Sequence, residues 1–506
     1  MKLFIDGNIW RTRALLFVFG ALQVLAFAPF GWFILAPCLL IPLLYGFLKS
    51  APRTAAGYGF CYGAGLFLAG TYWLYISIHV FGEAPLVLAI FLMVALVVIM
   101  GLYYAAAGWL IARLCEDQSA RLLIVAPSVW VAIEWVRGWF LSGFPWMSLG
   151  YSQIDSPLIG FAPVLGVYGL SLAVVFSAAG LLLAGIAHGR RRWVLVFAAL
   201  IPWSAGLLLQ NVQWTEEAGP AVTATIVQGG IPQDRKWDAD QFRPTLTLYR
   251  NSIMQNPESQ LIVWPEVAIP SVVDQVEDYI ALLQTDILAH KQTLLFGILE
   301  RDAARQKVFN SVVMLDGEGR QVYRKRHLVP FGEYFPVPDF VREWMRLMSL
   351  PNSDISPGNA TQPLLQTRDG QKIAVAICYE DAYASEQLYA LPEATVFVNV
   401  SNDAWFGDSI APHQHLEIAR MRAVEAGRPV IRATNTGIST FIAADGTLGG
   451  MAPQFRAATV TEDVMPRRGL TPYARFGNAP VVALVLAVIA WFGGRVYGAR
   501  KNQSLD

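Results

Sequence analysis

Apolar runs too long for the core of a soluble domain fill residues 13 to about 210, and another runs from Ala479 to Trp491. A helix that crosses a bilayer needs about 20 largely apolar residues. Eight stretches are read as spans, at roughly 13–30, 32–48, 57–80, 85–111, 122–140, 158–187, 193–210 and 479–497. Charged residues make up 15% of the chain, against about 25% in soluble domains. Net charge is zero, so no basic excess exists to neutralise phosphates and no nucleic-acid partner is expected. The expected organisation is a membrane α-helical bundle of about eight transmembrane helices around a soluble insertion. Residues 1–212 form a transmembrane domain of about seven helices, 213–476 an α/β domain, and 477–506 the last helix with a cytoplasmic tail.

Orientation follows from Lys and Arg in the short loops. With a cytoplasmic N-terminus, thirteen basic residues fall on the cytoplasmic side: Lys2, Arg11 and Arg13, Lys49 and Arg53, Arg113 and Arg121, Arg190 to Arg192, and Arg495, Arg500 and Lys501. The opposite short loops hold one, Arg137. That tally places the soluble domain outside the cytoplasm. Ala26-Phe27-Ala28 looks like a signal-peptide cleavage site, but Pro29 follows directly and the next span begins at Trp32, so a retained anchor is expected. Glu134 and Arg137, three apart on a helix in or near the membrane, are expected to pair with each other, because lone charges there are costly.

Between the spans, β-rich runs alternate with amphipathic stretches. Strands are predicted at Val222–Val227, Leu261–Trp264, Leu294–Leu299, Val308–Leu315, Ile373–Ile377, Val396–Val400 and Val430–Ala433. Helices are predicted near 240–255, 274–290, 383–390 and 413–427, with hairpin turns at Asp316–Gly319 and Asp445-Gly446. This pattern describes an α/β domain with a largely buried sheet.

Polar residues gather just after the apolar strands, where open α/β sheets collect catalytic groups. Glu266 follows Leu261–Pro265, and Asn402 and Asp403 follow Val396–Ser401. Cys378 follows Ile373–Ile377 and is the one cysteine of the soluble domain; Cys38, Cys61 and Cys115 lie in or beside the spans. A lone extracytoplasmic cysteine is either a reactive thiol or a packing residue. As a nucleophile it needs a base, a cation for the oxyanion and an acid/base group for the leaving and attacking groups. His290, His327, His413 and His415 leave a Cys/His pairing open. His413-x-His415 lacks a nearby third ligand, so no metal is expected.

Three segments resemble the catalytic segments of the nitrilase (carbon–nitrogen hydrolase) superfamily: Trp264-Pro265-Glu266, Tyr323-Arg-Lys325-Arg-His327-Leu-Val-Pro330-Phe-Gly-Glu333, and Ile377-Cys378-Tyr379-Glu380. The whole chain further resembles the bacterial apolipoprotein N-acyltransferase family. That likeness rests on Val227-Gln228-Gly-Gly-Ile-Pro232-Gln with Lys236-Trp237-Asp238, Val400-Ser-Asn402-Asp403-Ala-Trp405-Phe-Gly407, Gly469-Leu-Thr-Pro-Tyr473-Ala-Arg475, and Phe144-Pro145-Trp146 with Gly150-Tyr151-Ser-Gln153. The resemblance implies an α-β-β-α sandwich with Glu266 as general base, Lys325 as oxyanion-stabilising cation and Cys378 as nucleophile. It implies supporting roles for Glu333, Tyr379 and Glu380, and places Asn310 and Trp237 at the active-site rim and acyl substrate. Glu333 as a loop cap, Glu380 as a loop-positioning salt-bridge partner and Trp237 as plain packing stay open beside these roles.

The implied reaction is ping-pong transfer of an acyl chain from a phospholipid, through a thioester on Cys378, to the α-amine of a diacylglyceryl-modified N-terminal cysteine of an apolipoprotein. It needs no cofactor, and it implies a bacterial inner-membrane protein with its catalytic domain on the periplasmic side. A membrane-tethered amide hydrolase using the same triad is the alternative, and a non-catalytic lipid-binding protein a third class. Last, Phe340, Val341, Trp344, Met345, Leu347, Met348 and Leu350, with Arg342 and Arg346 interspersed, read as a lid resting on the bilayer with Trp344 meeting substrate; buried core is the other reading.

Overall fold

The computed structural model describes residues 8–302, 304, 306–317, 319–334 and 355–503. It divides into two compact units. The first holds the chain up to Gln213, the segment Asp408–Glu417 and the chain from Thr471 onward; the second holds Trp214–Gly407 and Ile418–Leu470. The expected lid segment, Phe340 to Leu350 with Trp344, lies outside the described residues.

In the first unit six described helices are long and apolar enough to cross a membrane: Ile9–Ala26, Leu86–Leu114, Gln118–Arg137, Pro157–Ile186, Gly189–Leu209 and Ala479–Gly498. Pro52–Gly70 and Trp73–Phe81, bent by 53° at their junction, make a seventh if they form one span. The stretch read as a span at 32–48 is helical only over the 15 residues Leu35–Lys49. At 1.5 Å per residue it reaches about 22 Å, short of a hydrocarbon core of about 30 Å. Small residues let the helices touch backbone to backbone: a Cβ on Gly59 would lie 2.1 Å from the Tyr104 carbonyl oxygen, and one on Gly65 2.0 Å from that of Phe17. Large apolar side chains, among them Val87, Phe91, Phe197, Ile201 and Trp491, stay exposed, the surface a lipid-facing bundle presents.

Glu134 and Arg137 do not form the expected ion pair. Glu134 accepts hydrogen bonds from the Trp130 indole at 2.9 Å and the Leu149 amide at 2.8 Å. Arg137 donates to the carbonyls of Phe144 and Trp146 and to the Ser148 hydroxyl. Both side chains serve one irregular loop, whose main-chain groups need partners when buried among apolar helices.

The second unit is built on two six-stranded sheets. The first runs, in spatial order, Ala458–Val464, Val222–Gln228, Leu261–Val263, Thr293–Asp302, Lys307–Leu315, Arg320–Arg324. The second runs Leu448–Met451, Thr440–Ile442, Val430–Thr434, Val396–Ser401, Lys372–Ile377, Leu365–Gln366. Each sheet has a parallel centre of three strands with antiparallel strands outside it. The period of two along a strand sorts the side chains: Leu261 and Val263 join Val375, Ile377, Val398 and Val400 between the sheets. Ile262 faces the other way, into the layer formed with Tyr249, Ile253, Leu283 and Ile287 of helices Ala239–Gln255 and Glu277–His290. Ala419 and Arg422 of helix Ala411–Ala426 lie over Ala374, Ala376, Phe397 and Val430 on the outer face of the second sheet. The unit is thus the expected α-β-β-α sandwich, and the seven predicted strands all form.

Candidate active site

Cys378 ends the strand Lys372–Ile377 with its backbone at φ +52°, a left-handed conformation unusual for a side chain with a Cβ. A left-handed residue between a strand and a helical turn is the backbone form of a nucleophile elbow. Glu266 follows Leu261–Val263 and Lys325 follows Arg320–Arg324, so the three lie at the ends of strands from both sheets.

The Lys325 ammonium is 1% exposed. It lies 3.5 Å from a Glu266 carboxylate oxygen and 2.8 Å from Glu333. Asn310 spans the two acids, its amide donating to Glu266 at 2.7 Å and to Glu333 at 3.0 Å. Asn310 is therefore part of the buried acid cluster rather than its rim. Glu333 also accepts the Val329 amide at 2.9 Å, so it caps its own loop while holding the lysine. Burial works against the Lys325 charge, but Glu333, Glu266 and a Glu333 hydrogen bond outweigh it and hold the ammonium above the ordinary lysine range. Burial, and after it the Glu266 charge, push the Cys378 thiol well up; Lys325 and a hydrogen bond with Ser401 act the other way. At neutral pH the resting cysteine is a thiol, and its proton has to leave during attack.

Glu380 touches none of these three. Its carboxylate accepts the amides of Ile377 at 2.7 Å, Arg326 at 2.7 Å and His327 at 3.2 Å, and the Tyr323 hydroxyl. It ties the strand leading into Cys378 to the loop carrying Lys325, which is a positioning role without an ion pair. Burial raises its acid group, with those amide bonds opposing. Tyr379 is 8% exposed and packs edge-on to His327 and Tyr383. Trp237 is 56% exposed.

Behind Cys378 lies a buried arginine that sequence reading missed. Arg432 is 0% exposed and pairs with Asp403 at 2.9 Å and Asp381 at 3.3 Å, while also donating to Asn399. Asp403 in turn accepts the Ser401 hydroxyl at 2.9 Å. An arginine inside the apolar strand Val-Ile-Arg-Ala was the available signal. Lys236, which the sequence marks as part of a shared segment without giving it a role, is 3% exposed and donates to the main-chain carbonyl of Glu266 at 3.1 Å.

The second unit coincides with a match to the carbon-nitrogen hydrolase family model over residues 223–472. The apolipoprotein N-acyltransferase N-terminal domain model matches residues 19–180. Apolipoprotein N-acyltransferase of Azotobacter vinelandii is 40% identical over 492 residues, covering 95% of each chain. That of Methylococcus capsulatus is 39% identical over 488 residues, covering 96% of each. A crystal structure of a carbon-nitrogen hydrolase from Helicobacter pylori is 16% identical with a TM-score of 0.37, covering 48% of this chain and 89% of that one. With a membrane-helical half, a buried Glu, Lys and Cys cluster on an α-β-β-α sandwich and relatives matched from end to end, this chain belongs to the apolipoprotein N-acyltransferase family.

Proposed function

We propose that the chain transfers a fatty acyl group from a phospholipid to the α-amine of a diacylglyceryl-modified N-terminal cysteine of an apolipoprotein, through a thioester on Cys378. The catalytic domain spans 213–476 and faces the periplasm of a bacterial inner membrane. The observation that carries the chemistry is the buried arrangement of Glu266 and Glu333 around Lys325, at the strand ends that also present Cys378.

Glu266 accepts the thiol proton as the sulfur attacks the ester carbonyl. The C–S bond forms and the carbonyl becomes an oxyanion, stabilised by the Lys325 ammonium. The oxyanion collapses, the ester C–O bond breaks, and Glu266 returns its proton to the departing alkoxide, releasing lysophospholipid. The acceptor amine then attacks the thioester, losing a proton to Glu266. Collapse forms the amide, and the expelled thiolate takes that proton back. Both substrates are bilayer lipids, and drawing a chain into water costs about 0.8 kcal/mol per CH₂, which favours a site joined to membrane helices.

Incubation with phospholipid alone should add one acyl mass at Cys378, removable by neutral hydroxylamine, and Cys378→Ala should neither acylate nor turn over. Normal turnover by Cys378→Ala would end the thioester reading. Release of free fatty acid at the full rate without an amine acceptor would favour the hydrolase instead. For topology, a reporter cysteine at Gly317 should react with an impermeant reagent from the outer face and one at Arg191 should not; the reverse pattern would overturn the periplasmic assignment.

A further inference from the structure

Lys236 lies in the turn between strand Val222–Gln228 and helix Ala239–Gln255 and has no part in the chemistry above. Its ammonium is buried, its hydrogen-bond acceptor is the Glu266 main-chain carbonyl at 3.1 Å, and among the described residues it forms no ion pair. A buried ammonium that uses one of its three protons is costly to keep. Burial pulls it down to about 8, with the Glu266 charge opposing. Among the described residues Glu266 is the charged group that acts on it.

The rest of the Glu266 main chain is held just as closely. The Gly297 amide donates to the Pro265 carbonyl at 3.1 Å. A Cβ on Gly297 would lie 2.7 Å from the Glu266 Cα, and Val267 sits at φ +45°. Lys236 closes this clamp from the carbonyl side. Charge balance points the same way. Lys325 is engaged with Glu333 at 2.8 Å and is 3.5 Å from Glu266, so one ammonium faces two carboxylates until Lys236 is included.

We propose that Lys236 is a positioning residue for the acyl-transfer base: its ammonium fixes the Glu266 main chain and supplies the second positive charge that two buried carboxylates require. The inference rests on the reading of Glu266 as base. A lysine kept only for structure would not be left so poorly paired, because replacing an underpaired buried charge with an apolar side chain of similar volume is often neutral or stabilising.

The test uses full-length protein in detergent micelles containing phospholipid. Single-turnover acylation of Cys378 is followed by intact mass spectrometry from about pH 6 to about pH 10, the range in which the groups of interest titrate, with thermal unfolding in parallel. Lys236→Met should unfold no lower than wild type yet acylate about tenfold or more slowly below pH 8, the size of one pK unit of lost electrostatic support. The wild-type rate should fall as pH rises through about 8, and that limb should be absent from Lys236→Met. Glu266→Gln should be as slow alone as with Lys236→Met added. If Lys236→Met does not fold, Lys236→Gln, which keeps a donor for the carbonyl without the charge, carries the same outcomes. A wild-type rate in the variant, an alkaline limb that survives the substitution, or further slowing in the Glu266→Gln background would each overturn the proposal. Glu266→Gln acylating normally would instead remove the base assignment on which it rests.

Discussion

Lys325→Met should slow acylation of Cys378 by about 10²–10³-fold, the loss seen when one preorganised oxyanion donor is removed. Among the described residues the ammonium is the cation nearest both carboxylates, and it is among the groups that ease ionisation of the Cys378 thiol. Without it, the Asn310 amide is what Glu266 and Glu333 share among the described residues. Because its folded-state ammonium is held above the ordinary lysine range, the stability Lys325 contributes is fully present below the unfolded-state value and fades only as pH rises through the raised one. Its effect on stability is therefore flat through neutral pH, and a rate change there reports chemistry. Single-turnover rates against pH, beside thermal unfolding, check this; a folded Lys325→Met with wild-type rates would take the oxyanion role away from this residue.

Arg432→Met should act on stability instead, lowering it by about 3–5 kcal/mol, the usual cost of removing one partner from a buried ion pair. Asp403 and Asp381, both 1% exposed, would lose the guanidinium they share. Thermal unfolding of the variant beside wild type is the measurement, and an unchanged stability would take this role away from Arg432. Acylation by the part that stays folded should fall less than in Lys325→Met, because Arg432 reaches Cys378 indirectly, through Asp403 and Ser401.

Glu380 shows how far motif reading carries a residue. Its place beside Cys378 in Ile-Cys-Tyr-Glu marked it as needed, and the open question was whether it acts or positions. Only the fold answers that, by bringing the amides of Arg326 and His327, more than fifty residues away in sequence, onto its carboxylate. Asn310 moved the other way, from the rim to a bridge between two acids, because register on the strand Lys307–Leu315 turns it inward. The expected pairing of Glu134 with Arg137 failed for a similar reason: helical spacing allows an i,i+3 contact, but the main-chain groups of residues 144–149 compete for the same side chains and are worth more to satisfy when buried.

The sequence by itself determined the membrane-helical half, the α/β class and the positions of the seven strands, and its motifs singled out Glu266, Lys325 and Cys378 as candidates. Each of these is written in local pattern: apolar length, period two, and short motifs at strand ends. Tertiary structure alone decided that Leu35–Lys49 is a short helix, that Pro52–Gly70 and Trp73–Phe81 meet at 53°, that Arg432 lies between two aspartates, and that Lys236 is buried against Glu266 while its neighbour Trp237 is exposed. The physical reason is that burial and partner choice belong to pairs of residues distant in the chain. A lysine in a charged turn reads as solvated until the fold shows which surface closes over it.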